Sequence, residues 1–300
     1  MLNIKDRIWI QYLVLVFGLL CIGWSAIFVK LAGITGFASA FYRMAFASIA
    51  IIPLWTFRKK KTVDNSSLKI AALCGVLFAC DIAMWNTSIM LSKAAIATLL
   101  ANLSPVWVGF GAYFIFKEKP KVIFWIGTSI ALIGVAVIVG IDKIYNTNLS
   151  LGTFLAIGAS VFYAAYLLIT QKARGTIDTV SFTAISMITS TVVLFIICSI
   201  ANVPMLGYSY ESWSALIGLG LISQFCGWLA INWALGYIQS TSASVSLLSQ
   251  SVVTAIIAIP VLGEYLNWME IGGSIIVLLG IFLVNRRNIM KKQSVGPEYD

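Results

Sequence analysis

Three ionisable side chains interrupt otherwise apolar stretches: Lys30, Arg43 and Asp81. A charge near the centre of a bilayer costs about 3 kcal/mol even on the mild insertion scale. Such residues therefore face a protein interior or a wet cavity, and pair there with one another, with a proton or with a ligand. Asp81 could hold a substrate ammonium or carry a coupling proton; a fixed ion pair with Arg43 or Lys30 is the structural alternative. Arg43 could clamp a substrate carboxylate, because its guanidinium presents two parallel donors, or it could fasten helices together. Asn102 and Gln250 place amides in apolar surroundings. Trp24, Trp85, Tyr163 and Trp228 lie far from the ends of their stretches and could wall a pocket for a flat or cationic ligand, or simply fill space. The candidate substrate-binding set is thus Trp24, Arg43, Asp81, Trp85, Asn102, Tyr163, Trp228 and Gln250. Asp81 is the candidate coupling residue, and Pro105 is a candidate hinge because it removes a backbone hydrogen bond in mid-stretch.

Other chemistry is absent from the residue inventory. The chain has no histidine, and so lacks the commonest general base and transition-metal ligand. No HExxH, GxSxG or GxxxxGK[ST] pattern occurs, and Cys21, Cys74, Cys80, Cys198 and Cys226 form no CxxC pair. No catalytic residue, metal or cofactor is expected, and the chain does not read as an enzyme.

The elements that must position these residues are membrane helices. Of the 300 residues, 60% are hydrophobic and only 10% charged, against about 25% charged in a soluble domain. Apolar runs of about 20 residues, the length that spans a bilayer, cover 12–31, 36–57, 68–91, 94–116, 122–141, 151–170, 180–203, 213–235, 241–262 and 266–284. Asp81 then falls about 20 Å into the third run at 1.5 Å per residue. A net charge of +9 could suggest nucleic acid, but the basic residues sit in the breaks between runs. One set of breaks and ends holds Lys5, Arg7, 58–61, Lys69, Lys117, Lys119, Lys121, Lys172, Arg174, Arg286, Arg287, Lys291 and Lys292, sixteen of the twenty Lys and Arg. Because cytoplasmic loops collect Lys and Arg, both termini are predicted to be cytoplasmic. The expected partners are the lipid bilayer and a small-molecule substrate, with the proton as candidate coupling ion and no nucleic acid.

The chain also resembles itself. Shifted by 146 residues, Asn86 meets Asn232, Ala97 meets Ala243, Glu118 meets Glu264, Gly127 meets Gly273 and Gly134 meets Gly280. Fixed-period similarity of this kind marks an internal repeat. Five helices per repeat is an odd number, so the second copy enters the membrane from the opposite side. The predicted fold is an all-α polytopic membrane protein of ten transmembrane helices, built as two inverted-topology five-helix repeats at 8–141 and 151–286, with a polar tail at 287–300. Inverted repeats place a transporter's site between the halves near the midplane.

Paired helix-ending segments carry a family resemblance. Ser104-Pro105-Val106 is followed by Phe116-Lys117-Glu118, and Leu262-Gly263-Glu264 stands at the corresponding place in the second half, each before a helix with spaced glycines. Over roughly residues 10–286 the chain resembles the ten-helix EamA-type branch of the drug/metabolite transporter superfamily. The resemblance implies a secondary transporter, an exporter of a small metabolite such as an amino acid, in the bacterial inner membrane. A multidrug efflux carrier of the same fold, or a non-transporting receptor or scaffold, is the alternative. Family members commonly have Pro thirteen residues before each Glu. Pro105 fits, whereas the second half has Ser251 there and Pro260 instead, which predicts that the ninth helix bends nearer the outer surface.

Overall fold

The computed structural model describes residues 8–57, 63–91, 94–117, 119–140, 150–262 and 267–293. The basic cluster 58–61, Glu118, Glu264, the break 141–149 and the end of the tail lie outside the described residues. Among the described residues, ten helical stretches are long and apolar enough to cross a membrane: Ile8–Ala32, Gly36–Thr56, Asn65–Ser88, Leu99–Phe116, Val122–Val139, Leu151–Ala173, Thr179–Ile200, Tyr210–Ala234, Ser240–Val261 and Trp268–Arg286. Apolar side chains cover both faces of these spans. In the first, Leu15, Leu19 and Ile22 are buried while Leu13, Phe17 and Leu20 are exposed. That distribution suits lipid, where a helix satisfies its own backbone and gains nothing by hiding its outer face.

With no water to expel, helices in lipid associate through close packing and polar contacts. The repeated glycines supply the first. A Cβ on Gly280 would lie 2.5 Å from Gly127 O, and one on Gly134 would lie 2.7 Å from Gly273 O. The fifth and tenth spans therefore run antiparallel, with each glycine of one repeat facing the partner's other glycine. This crossed pairing is what a two-fold axis between inverted repeats requires. The repeated asparagines supply the second. Asn86 Nδ2 donates to Gly36 O at 2.6 Å, and Asn232 Nδ2 donates to Thr183 Oγ1 at 3.2 Å. In both halves the repeat's third helix is thus fastened to its second.

Several spans are not continuous helices, which composition does not reveal. The first is Ile8–Gly23 and Ser25–Ala32, broken at Trp24; Thr254 Oγ1 donates to Gly23 O, the carbonyl just before the break, at 2.8 Å. The fourth is Ala94–Ala101 and Ser104–Phe116, and the ninth is Ser240–Leu247 and Gln250–Leu262. The two gaps, 102–103 and 248–249, are related by the same shift of 146. The ninth helix therefore breaks at mid-span, and the expectation of a bend nearer the surface is corrected. Serines do what proline does in the first half. Ser246 Oγ donates to Ser242 O and Ser249 Oγ to Ser246 O, both at 2.8 Å, and such back-bonding bends helices. Pro260 stays inside its helix. Pro105 sits in the first turn of Ser104–Phe116, where its missing N–H costs nothing. The eighth span contains a π-helical segment, Leu219–Gly227. The last helix continues to Gln293, past the expected end at 284, because neither Gly nor Pro stops it there.

Candidate functional site

Between the halves lies a cavity of about 520 Å³. The first half contributes Ser25, Lys30, Arg43, Asp81, Trp85 and Asn102; the second contributes Tyr163, Trp228, Gln250, Ser251 and Thr254. Its lining runs from mid-span Asn102, Trp228 and Gln250 to Lys30, Val139 and Ala258, which lie near the span ends remote from Ile8 and Arg286. The cavity is thus directed to the membrane face opposite the described chain ends.

Seven of the eight sequence-predicted residues line this cavity: Arg43, Asp81, Trp85, Asn102, Tyr163, Trp228 and Gln250. Trp24 does not, and its expected place in the pocket is corrected. From the first span Ile22, Ser25, Ala26, Ile27 and Lys30 line the cavity, whereas Trp24 stands at the break between the two helices and does not. It stacks on Phe28 instead, at 5.5 Å between ring centroids. Lys30 lines the cavity; Pro105 is buried in the first turn after the fourth-span gap and lies outside the lining.

The two gaps meet at the cavity's inner end. Gln250 Nε2 donates to Asn102 Oδ1, and Asn102 Nδ2 donates to Ser251 Oγ, both at 3.5 Å. Breaking the helices frees these amides from the flanking turns and sets the repeats' matching segments side by side. Beneath them Phe78 forms a floor, stacked on Tyr166 at 4.6 Å and edge-on to Trp228 at 4.6 Å; Tyr163 meets Trp228 edge-on at 5.9 Å. Trp228 Nε1 is buried without a hydrogen-bond partner.

Arg43 is 8% exposed, and its Nε donates to Gln224 Oε1 at 2.5 Å. The hydrogen bond therefore runs to a neutral amide on the eighth span, not to Asp81, although Arg43 and Asp81 are near enough to interact through their charges. Sequence reading did not find this pairing of Arg43 with Gln224, 181 residues away. Nor did it find Phe78, which is indistinguishable in sequence from a packing residue.

Toward the chain ends the bundle is shut. Tyr12 OH donates to Asn285 Oδ1 at 3.1 Å, and Asn285 Nδ2 to Ser246 Oγ at 3.0 Å. Tyr166 OH donates to Asn232 Oδ1 at 2.9 Å, and Ser240 N to Gln171 Oε1 at 2.6 Å. Arg174, just past the sixth span, braces the following turn through Ile177 O and Thr179 Oγ1; burial draws its pKa below the usual arginine value. Among the described residues, no three His, Cys, Asp or Glu side chains gather as metal ligands would.

The chain is similar to known proteins. The EamA-like transporter family matches twice, at residues 9–140 and 150–286. An uncharacterised transporter of Clostridium kluyveri is 25% identical over 228 residues, covering 74% of this chain and 73% of its own. One from Archaeoglobus fulgidus is 25% identical over 273 residues, covering 88% and 93%. Human solute carrier family 35 member G1 is 24% identical over 254 residues, covering 79% and 68%. A solved crystal structure shares the fold at a TM-score of 0.76 and 15% identity, covering 92% of this chain and 98% of its own.

Proposed function

The chain belongs to the EamA-like transporter family, and we propose that it is a secondary exporter of a small metabolite, an amino acid or a related compound, working by alternating access in the bacterial inner membrane. One observation carries the reading: the cavity between the repeats is lined by both halves, and Arg43 and Asp81 stand in its wall. A site shared by two bundles changes its access when one bundle rocks against the other. The crossed glycines of the fifth and tenth spans suit a pivot, because their backbones already touch. The bond from Tyr12 to Asn285, which crosses from one half to the other, is one that rocking would break.

With both termini in the cytoplasm, as the Lys and Arg distribution favours, the cavity faces outward in this state. Asp81 serves as the coupling residue, loaded with a proton from one side and released to the other. A proton drives such a cycle only through its different affinity for the two states. Arg43 takes the substrate carboxylate, and Trp85, Tyr163 and Trp228 its apolar part. Counterflow in proteoliposomes, run over a panel of amino acids and related metabolites, tests the proposal. Accumulation of label against an internal excess of the same compound is expected for at least one of them. Flux without counterflow would mean a channel, and no flux for any compound would remove the metabolite reading.

A further inference from the structure

We propose that Gln224 sets the charge selectivity of the cavity: its neutral amide fixes the guanidinium of Arg43 so that the two Nη groups meet a carboxylate or similar planar oxyanion on the solute. The inference rests on the carrier reading above and adds a determinant of what is carried.

The geometry begins with the backbone. Gln224 lies in the π-helical segment Leu219–Gly227, a rare form that often marks functional sites. That segment is set hard against the first two spans. A Cβ on Gly220 would lie 2.5 Å from Phe46 Cβ and 3.3 Å from Arg43 O, and one on Gly227 would lie 2.8 Å from Ile22 Cγ2. Ser223 Oγ donates to Cys21 O at 3.0 Å. Between these anchors Gln224 is 1% exposed, and its Oε1 accepts from Arg43 Nε.

The charge argument follows. Among the described residues Gln224 is the hydrogen-bond partner found for Arg43, and no nitrogen of Arg43 is buried without a partner. Since Arg43 lines the cavity, its Nη edge opens onto it. With Nε occupied by Gln224, that edge is the one left with two parallel N–H donors for a carboxylate. A glutamate at 224 would satisfy Nε equally well but would also neutralise the guanidinium, and a ligand anion would then be opposed by a fixed one. A glutamine holds the arginine in place and leaves its charge to the solute. The eighth span thus positions a residue of the second, across the boundary between the repeats.

Two measurements on the full-length chain test this. Proteoliposome counterflow compares each amino acid of the panel with its decarboxylated amine, which keeps the ammonium and side chain and lacks the anion. Wild type is expected to favour the amino acid at least tenfold, and Gln224→Glu to bring the ratio near one. A wild type that carries both equally, or a Gln224→Glu variant that keeps the wild-type ratio, overturns the inference while leaving the carrier reading intact. Phenylglyoxal labelling, mapped by mass spectrometry, needs no substrate. Arg43 is expected to react in wild type and in Gln224→Met, which preserves bulk without charge, and at least tenfold more slowly in Gln224→Glu. Equal rates in all three, or an unreactive Arg43 in wild type, would show that its Nη edge is not offered to the cavity. Monodisperse elution of Gln224→Met separates loss of the fold from loss of the contact.

Discussion

Replacing Gly280 with alanine tests the seam on which the two repeats meet. The new Cβ would stand 2.5 Å from Gly127 O, 2.6 Å from Ala131 N and 2.8 Å from Ala131 Cβ. None of these can swing aside, because two are backbone atoms and the third is a Cβ. Ordinary contact begins at 3.4 Å, so the fifth and tenth spans must part by 3.4 minus 2.5, or about 0.9 Å, which forfeits much of the dispersion energy along the seam. Overpacking of this kind costs about 1–3 kcal/mol, offset by up to about 1 kcal/mol of improved helix propensity. Gly272, on the same helix, is the internal control, since a Cβ there meets nothing within 4 Å. Gly272→Ala keeps the propensity gain without the clash. The two variants should therefore differ by about 1–3 kcal/mol, the overpacking cost alone, with Gly280→Ala below Gly272→Ala. Scanning fluorimetry in one detergent gives the order of the unfolding midpoints. If Gly280→Ala matches Gly272→Ala, the seam is not close-packed as described. If Gly272→Ala falls as far, the loss comes from helix content and not from contact.

Three further outcomes are expected. Asn86→Ala and Asn232→Ala should each lower the unfolding midpoint, by the roughly 1–3 kcal/mol of a buried group left unpaired, with Asn232→Ala the worse because Tyr166 and Thr183 both lose a partner; a neutral Asn232→Ala would refute this. Tyr12→Phe combined with Asn285→Leu should widen the distance between spin labels at Phe57 and Lys172, both exposed near the shut end, and an unchanged distance distribution would remove these contacts from the gate. Asp81→Asn should abolish transport driven by a pH gradient and leave exchange at equal pH largely intact, because the amide cannot take up a proton; a normal response to the gradient would make Asp81 structural.

Much of this architecture was legible in the sequence because the bilayer imposes it. Span length and hydropathy give ten helices, and the matched Gly and Asn give the repeat. The deep polar residues were legible for the same reason: a charge at Arg43 or Asp81, far from the span ends, needs an explanation, and a cavity supplies one. Trp24 misled because depth along a span does not say which way a side chain points. The break in the ninth span misled because proline was taken as the signal, whereas Ser246 and Ser249 produce the break by capturing carbonyls. The π segment carries no signal in composition at all; its glycines become meaningful only when Arg43 O and the Ile22 side chain are seen behind them.

What repeats and what does not repeat bears on how the protein works. Under the 146-residue shift the seam glycines, the fastening asparagines and the mid-span gaps have counterparts, and all of these are frame. Others at the cavity and at the shut end do not: Asp81 corresponds to Gly227, Phe78 to Gln224, Ile82 to Trp228 and Val139 to Asn285. A symmetric frame makes the two access states alike in backbone packing. The differing side chains then decide the balance between them. The shut end is held by an amide at Asn285, whereas its counterpart Val139, at the open end, can offer only dispersion contacts when that end closes. A hydrogen bond contributes about 0.5–1.5 kcal/mol net, so the Tyr12–Asn285 bond between the halves favours the present state by about that much. Under the proposed alternating access, a bound solute must supply that difference before the shut end opens.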